Sequence, residues 1–202
     1  MSPEQIKEVL RLHSIWVNNS EKGKRAALSM ADLRNNDLRG SNLQAADLSG
    51  ADISGSNLQG ADLSRSDLRG ANLQSSFLQH TNMCRADMRE SNMCGADMIF
   101  ANLTGACLQR ALMKEVYLYG ANLSGADMRE ANLSRANIIN AKFTIELKDA
   151  INLHETKYEE LQFPFLALNP NFLKQRKVTS DIPEQMEFFR DYFPFRRPNQ
   201  PS

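Results

Sequence analysis

Ala31-Asp32-Leu33-Arg34-Asn35, Ala51-Asp52-Ile53-Ser54-Gly55 and Ala71-Asn72-Leu73-Gln74-Ser75 share one pattern, and it runs from Ala26 to Ile145 without an insertion. The span is 120 residues, or 24 units of five. The third position is apolar in all 24 units, and the first is Ala, Ser or Thr in 22, with Asn36 and Val116 the exceptions. Asp or Asn holds the second position in 18 of 24, and nine of the ten glycines hold the fifth, from Gly40 to Gly125.

A period of five matches neither the 3.6 of a helix nor the 2.0 of a flat strand. It suits a chain that coils with corners. On a short extended segment the first and third positions point the same way, so they face inward, one small and one large. The second and fourth point outward and are polar. The fifth turns the corner, where glycine accepts a positive φ without steric cost.

The A-[DN]-L-x-x motif over residues 26–145 resembles the pentapeptide-repeat family. The resemblance implies an all-β solenoid, a right-handed quadrilateral β-helix with four units per coil. Twenty-four units then make about six coils. At a strand spacing of about 4.8 Å, that tower is on the order of 25 Å tall.

Both ends of such a tower need covering. Ser2-Pro3-Glu4-Gln5 is a helix start: Ser as N-cap, Pro in the first turn, Gln three residues after the Ser. Ile6, Val9, Leu10, His13, Trp16 and Val17 follow at helical spacing. Residues 3–18 are therefore expected as a helix laid over the first coil, with Asn19 to Arg25 as a connector, so that residues 1–25 form an N-terminal cap. The run from Leu12 to Val17, with Glu21 to Ala26, is similar to the start of cyanobacterial members. Past the repeat, Ile151-Asn152-Leu153, Thr156-Lys157-Tyr158 and Leu161-Gln162-Phe163 keep the phase, while Lys148 sits at a core position and breaks it. Residues 146–165 are expected as a degraded seventh coil. Residues 166–202 are expected as an irregular tail with a short helix over 183–193.

Composition narrows the function. Lys plus Arg equals Asp plus Glu at 24 each, which argues against a basic nucleic-acid binder. Three cysteines make no disulfide framework and point to a reducing compartment, hence the cytoplasm. Cys84 and Cys94 fall on opposite faces of a four-sided coil and Cys107 on a third. No apolar run approaches membrane-spanning length, and the first 25 residues carry Glu4, Glu8 and Glu21 without the apolar stretch of a secretory signal. His13, His80 and His154 are scattered, so neither a metal cluster nor a catalytic dyad is expected, and no cofactor.

Residues 20 apart stack on one face. On the first face Asp47, Asp67 and Asp87 stand in a column, with Arg69, Arg89 and Arg129 beside Asp67, Asp87 and Asp127. That face reads as a solvated charge lattice. Some members of the family act on DNA gyrase by presenting an acidic rod like duplex DNA. Residues 26–145 carry 12 acids against 11 bases, a net charge of −1, which disfavours that role.

The third face departs from the polar rule. Its second-position column is Asp37, Asn57, Phe77, Asp97, Tyr117, Asn137, and its fourth-position column is Arg39, Gln59, Gln79, Ile99, Tyr119, Ile139. Phe100 replaces the corner glycine of Gly40, Gly60 and Gly120. Leu112, on the adjoining second face, also breaks the Asp/Asn rule. Phe77, Ile99, Phe100, Leu112, Tyr117, Tyr119 and Ile139 are therefore the candidate partner-binding residues, since exposed apolar patches mark interaction sites. Either the C-terminal segment, with Phe188, Phe189, Tyr192 and Phe193, covers the patch, or another protein or a second copy does. The reading that follows is a non-catalytic interaction scaffold with an unidentified protein partner, no nucleic acid and no membrane. Regulation stays open, as does the choice between monomer and homodimer. A topoisomerase-directed charge mimic is the alternative.

Overall fold

The structure is a computed structural model and describes residues 1–143. The degraded coil expected over 146–165, and the tail with a short helix expected over 166–202, lie outside the described residues.

Twenty parallel bridges join residues from Ala27 to Lys142, and every one pairs a second-position residue with the second-position residue 20 further on. Four units of five thus complete one turn. Each coil is held to the next by three recurring bonds. The third-position N–H donates up to a second-position carbonyl, as Leu73 to Asn92 at 2.7 Å, the fifth-position N–H donates up to a fourth-position carbonyl, as Gly70 to Arg89 at 2.9 Å, and the second-position N–H donates down to a first-position carbonyl, as Asn92 to Ala71 at 2.9 Å.

The corner is a turn closed by the first-position N–H on the third-position carbonyl, as Ala71 to Leu68 at 3.0 Å. Its third residue must take a positive φ, and all 23 fifth positions from Met30 to Asn140 do, nine glycines and fourteen other residues. The ladder and turn bonds together hold the fourteen non-glycine corners in a region that L-residues seldom adopt.

The inward positions form the core. Leu73, Met93 and Met113 are fully buried in one internal column and Leu78, Met98 and Leu118 in the next. Small first positions leave room for them. First-position hydroxyls bond a carbonyl at Ser56, Ser66, Ser76, Thr81 and Ser91, as Ser76 Oγ to the Leu73 carbonyl at 2.6 Å and Thr81 Oγ1 to that of Leu58 at 2.9 Å, while the buried Ser41 Oγ has no partner.

The second position has a specific task beyond polarity. In all 18 units that carry Asp or Asn there, its Oδ1 accepts the N–H two residues on, at 2.8–3.4 Å. This is the Asx turn, and it satisfies a backbone donor that points away from the ladder.

Before the first coil stands α1, Pro3–Asn18. Ser2 Oγ accepts the Gln5 N–H at 3.2 Å while Gln5 Oε1 accepts the Ser2 N–H at 2.8 Å, a reciprocal capping box. Ile6 and His13 are its buried residues. His13 stacks on Trp16, and its Nδ1 accepts the Ala26 N–H at 3.0 Å, which ties the helix to the first repeat residue. The connector returns close against α1: a Cβ on Gly23 would collide with the Trp16 backbone, so no larger residue fits there.

Candidate functional site

Three faces carry polar outward columns. On the first, Arg69 reaches Asp67 at 2.6 Å and Asp87 at 3.8 Å, Arg89 reaches Asp87 at 2.6 Å, and Arg129 reaches Asp127 at 2.7 Å. The guanidinium beside each carboxylate holds Asp67, Asp87 and Asp127 below the ordinary range. The corner between the first and second faces continues the pattern, with Arg110 at 3.8 Å from Glu90 and 2.8 Å from Glu130. The second face carries an amide ladder in which Asn92 Nδ2 donates to Asn72 Oδ1 and Asn72 Nδ2 to Asp52 Oδ1. The fourth has the same from Asn102 through Asn82 to Asp62.

The third face is different. Phe77 is 49% exposed, Tyr117 51%, Tyr119 38%, and Phe100 at its corner 50%. Phe77 and Tyr117 stand one coil below and one coil above Asp97 in a single bridged column. Phe100 and Tyr119 meet edge to face with centroids 5.6 Å apart. Ile99 and Ile139 flank Tyr119 in the fourth-position column and are half-buried. Leu112, 47% exposed, stands in the second-face column between Asn92 and Asn132, so it is not part of this group.

Three residues outside the sequence-derived set belong to it. His80 stacks on Phe100 with centroids 5.4 Å apart, and Asn140 Nδ2 donates to the Tyr119 hydroxyl at 3.2 Å. Gln79 Nε2 donates to Asp97 Oδ2 at 2.7 Å. The signal for His80 and Asn140 was the same offset of 20 that stacks the faces, applied to the corners.

These apolar residues are not neutral for the fold. Phe77, Leu112 and Tyr117 replace an Asx side chain, so each removes the acceptor that eighteen other units supply. A hydrogen bond of that kind contributes about 0.5–1.5 kcal/mol. An aromatic ring half in water returns only part of its burial energy.

The arrangement offers shape and apolar surface. Among the described residues no group of three or more His, Cys, Asp or Glu is placed to hold a metal ion. Cys84, Cys94 and Cys107 are free thiols on three different faces. Among the described residues no helix is long and apolar enough to cross a membrane.

The family model described as "Pentapeptide repeats" matches residues 24–55, 46–83, 78–114 and 111–144, with eight copies in all. The chain belongs to the pentapeptide-repeat family. Membership gives the four-sided coil its architecture, the right-handed quadrilateral β-helix. This pentapeptide-repeat chain is similar to three solved structures in particular. HetL, a pentapeptide repeat protein involved in heterocyst differentiation regulation from the cyanobacterium Nostoc sp. strain PCC 7120, is 29% identical. The match covers 69% of this chain and 77% of HetL, with a TM-score of 0.40. A pentapeptide repeat protein from the Arabidopsis thaliana thylakoid lumen is 28% identical over 58% of this chain and 72% of its own, TM-score 0.33. Rfr23 from the cyanobacterium Cyanothece 51142 is 20% identical over 74% and 99%, TM-score 0.39. No curated protein matches the chain.

Proposed function

We propose that this chain is a non-catalytic interaction scaffold of the cytoplasm that recognises a protein partner through its third face. One observation carries the reading. Seven large hydrophobic residues are exposed among the described residues, and four of them, Phe77, Phe100, Tyr117 and Tyr119, fall on this face and its corner. Random drift would spread such residues over four faces. Here they gather on one, two of them at the cost of an Asx hydrogen bond.

Charge supports the same reading over mimicry of duplex DNA. A mimic needs uncompensated negative charge at close spacing. On the first face, where the aspartates stack, arginines bind Asp67, Asp87 and Asp127 within 2.7 Å. The column is neutralised rather than acidic.

The test is affinity capture from cell extract by the tagged full-length chain, beside a Phe77→Ala, Tyr117→Ala, Tyr119→Ala triple variant. The expected result is a protein retained by the first and lost by the second, with equal thermal stability. Retention of every captured protein by the triple variant would overturn the third face as the interface.

A further inference from the structure

We propose that the third face receives an arginine of its partner, with the guanidinium on the Asp97 carboxylate and the rings of Phe77 and Tyr117 to either side. The inference rests on the third-face reading above and names the chemistry of what docks there.

The chain supplies its own template. Asp127, on the first face, has its Oδ1 on the N–H two residues on and receives the Gln109 amide from the coil below. The Arg129 guanidinium completes its shell at 2.7 Å. Asp97 repeats that environment on the third face. Its Oδ1 accepts the Ile99 N–H at 3.2 Å and its Oδ2 the Gln79 amide at 2.7 Å, from the same relative position. The residue that stands in the place of Arg129 is Ile99. Asp37, lower in the same column, has its base as well, Arg39 at 2.6 Å. Among the described residues Asp97 has no basic partner, so it is a prepared carboxylate lacking the guanidinium that completes Asp127.

Its neighbours favour the same ligand. Phe77 and Tyr117 bridge to Asp97 from below and above, so their side chains leave the face about 4.8 Å to each side of it. Both are about half exposed and project further than an aspartate. A carboxylate recessed between two rings suits a planar cation, which gains from the ring faces as well as the charge, and arginine fits better than lysine on both counts. Ile99 beside it offers apolar contact to the arginine stem.

The test uses the full-length chain and a random dodecapeptide phage library, selected in parallel on wild type, Asp97→Asn and Tyr117→Glu. Asn already stands at positions 57 and 137 of this column and makes the same Asx bond there, so Asp97→Asn keeps the Ile99 N–H satisfied and the fold intact. Equal melting temperatures verify this. The expected result is enrichment of peptides with an arginine among apolar residues on wild type alone. In a synthetic peptide of that set, citrulline for arginine weakens binding at least tenfold by fluorescence anisotropy. Asp97→Asn weakens the parent peptide as much and no longer distinguishes citrulline. Arginine-free peptides lost only with Tyr117→Glu would overturn the arginine and leave the third face standing as an interface. Undiminished binding to Asp97→Asn, or no enrichment on wild type, would overturn it as well. A wild-type homodimer in sedimentation that Asp97→Asn dissolves would replace the foreign partner by a second copy.

Discussion

The ring of Phe100 lies over the backbone of Gly120, one coil above it in the same corner column. A Cβ at Gly120 would overlap Cε1 and Cδ1 of that ring, whereas a Cβ at Gly60, in the same column, meets nothing within 4 Å. Both glycines have positive φ, +66° and +67°. Backbone strain is therefore common to the two sites and the ring contact belongs to one.

Gly60→Ala is expected to cost about 1 kcal/mol, the penalty of a left-handed L-residue. Gly120→Ala should cost about 1–2 kcal/mol more, because the ring must move. In a Phe100→Ala background the two substitutions should cost the same. Denaturant melts of the six proteins check it, and equal costs in the wild-type background would show that the ring yields freely.

The period of five was readable in the residues themselves, whereas the offset that stacks Phe100 on Gly120 needed the four units per coil that the pentapeptide-repeat resemblance implies. With both in hand, the columns of Leu73 and Met93, of Asp67 and Asp87, and of Phe77 and Tyr117 follow from counting. The Asx role of the second position was not readable, because polarity alone also explains Asp and Asn there. It needed the geometry of the amide two residues on. His80 and Gln79 stayed out of the candidate site for a related reason. Each is an ordinary polar residue; the offset of 20 sets His80 beneath Phe100, but only the ring contact, and for Gln79 the bond to Asp97, gives it a part.

His13 should make the N-terminal cap sensitive to pH. Burial lowers its pKa from 6.5, and the positive charge of nearby Arg25 acts in the same direction. Its Nδ1 is an acceptor for the Ala26 N–H, so protonation there breaks that bond. The folded state thus holds the neutral ring, and the unfolded chain binds the proton more readily. The contribution is complete above pH 6.5 and is lost as the pH falls from there through the folded pKa. Trp16, the one tryptophan, stacks on His13 and reports it. Its fluorescence should change below pH 6.5 in wild type, and an unchanged signal down to pH 4.5 would contradict the assignment.

The core columns make a steric prediction. Met98 and Met93 are both fully buried. Met98→Leu conserves volume and should cost less than about 1.5 kcal/mol. Met93→Asp places a carboxylate where no base reaches it, and the cost of several kcal/mol should unfold the chain. Circular dichroism and solubility decide it; a soluble, cooperatively melting Met93→Asp protein would mean that the inward register is wrong.

Leu112 separates the rule of the repeat from the rule of the interface. It breaks the Asp/Asn pattern as Phe77 and Tyr117 do, yet it stands on the second face, between Asn92 and Asn132. Leu112→Asn restores the Oδ1 acceptor for the Lys114 N–H and extends the amide ladder that already joins Asn72 and Asn92. One such bond should raise stability by about 0.5–1 kcal/mol, read in a denaturant melt. Tyr117→Asn restores the same bond for Tyr119 and should stabilise by a similar amount. The two differ in binding: Tyr117→Asn removes a ring from the third face and should abolish partner capture, while Leu112→Asn should leave it unchanged. Loss of capture with Leu112→Asn would extend the interface round the corner to the second face. Retention of capture with Tyr117→Asn would mean that the third-face aromatics are tolerated departures from the repeat rather than its binding surface.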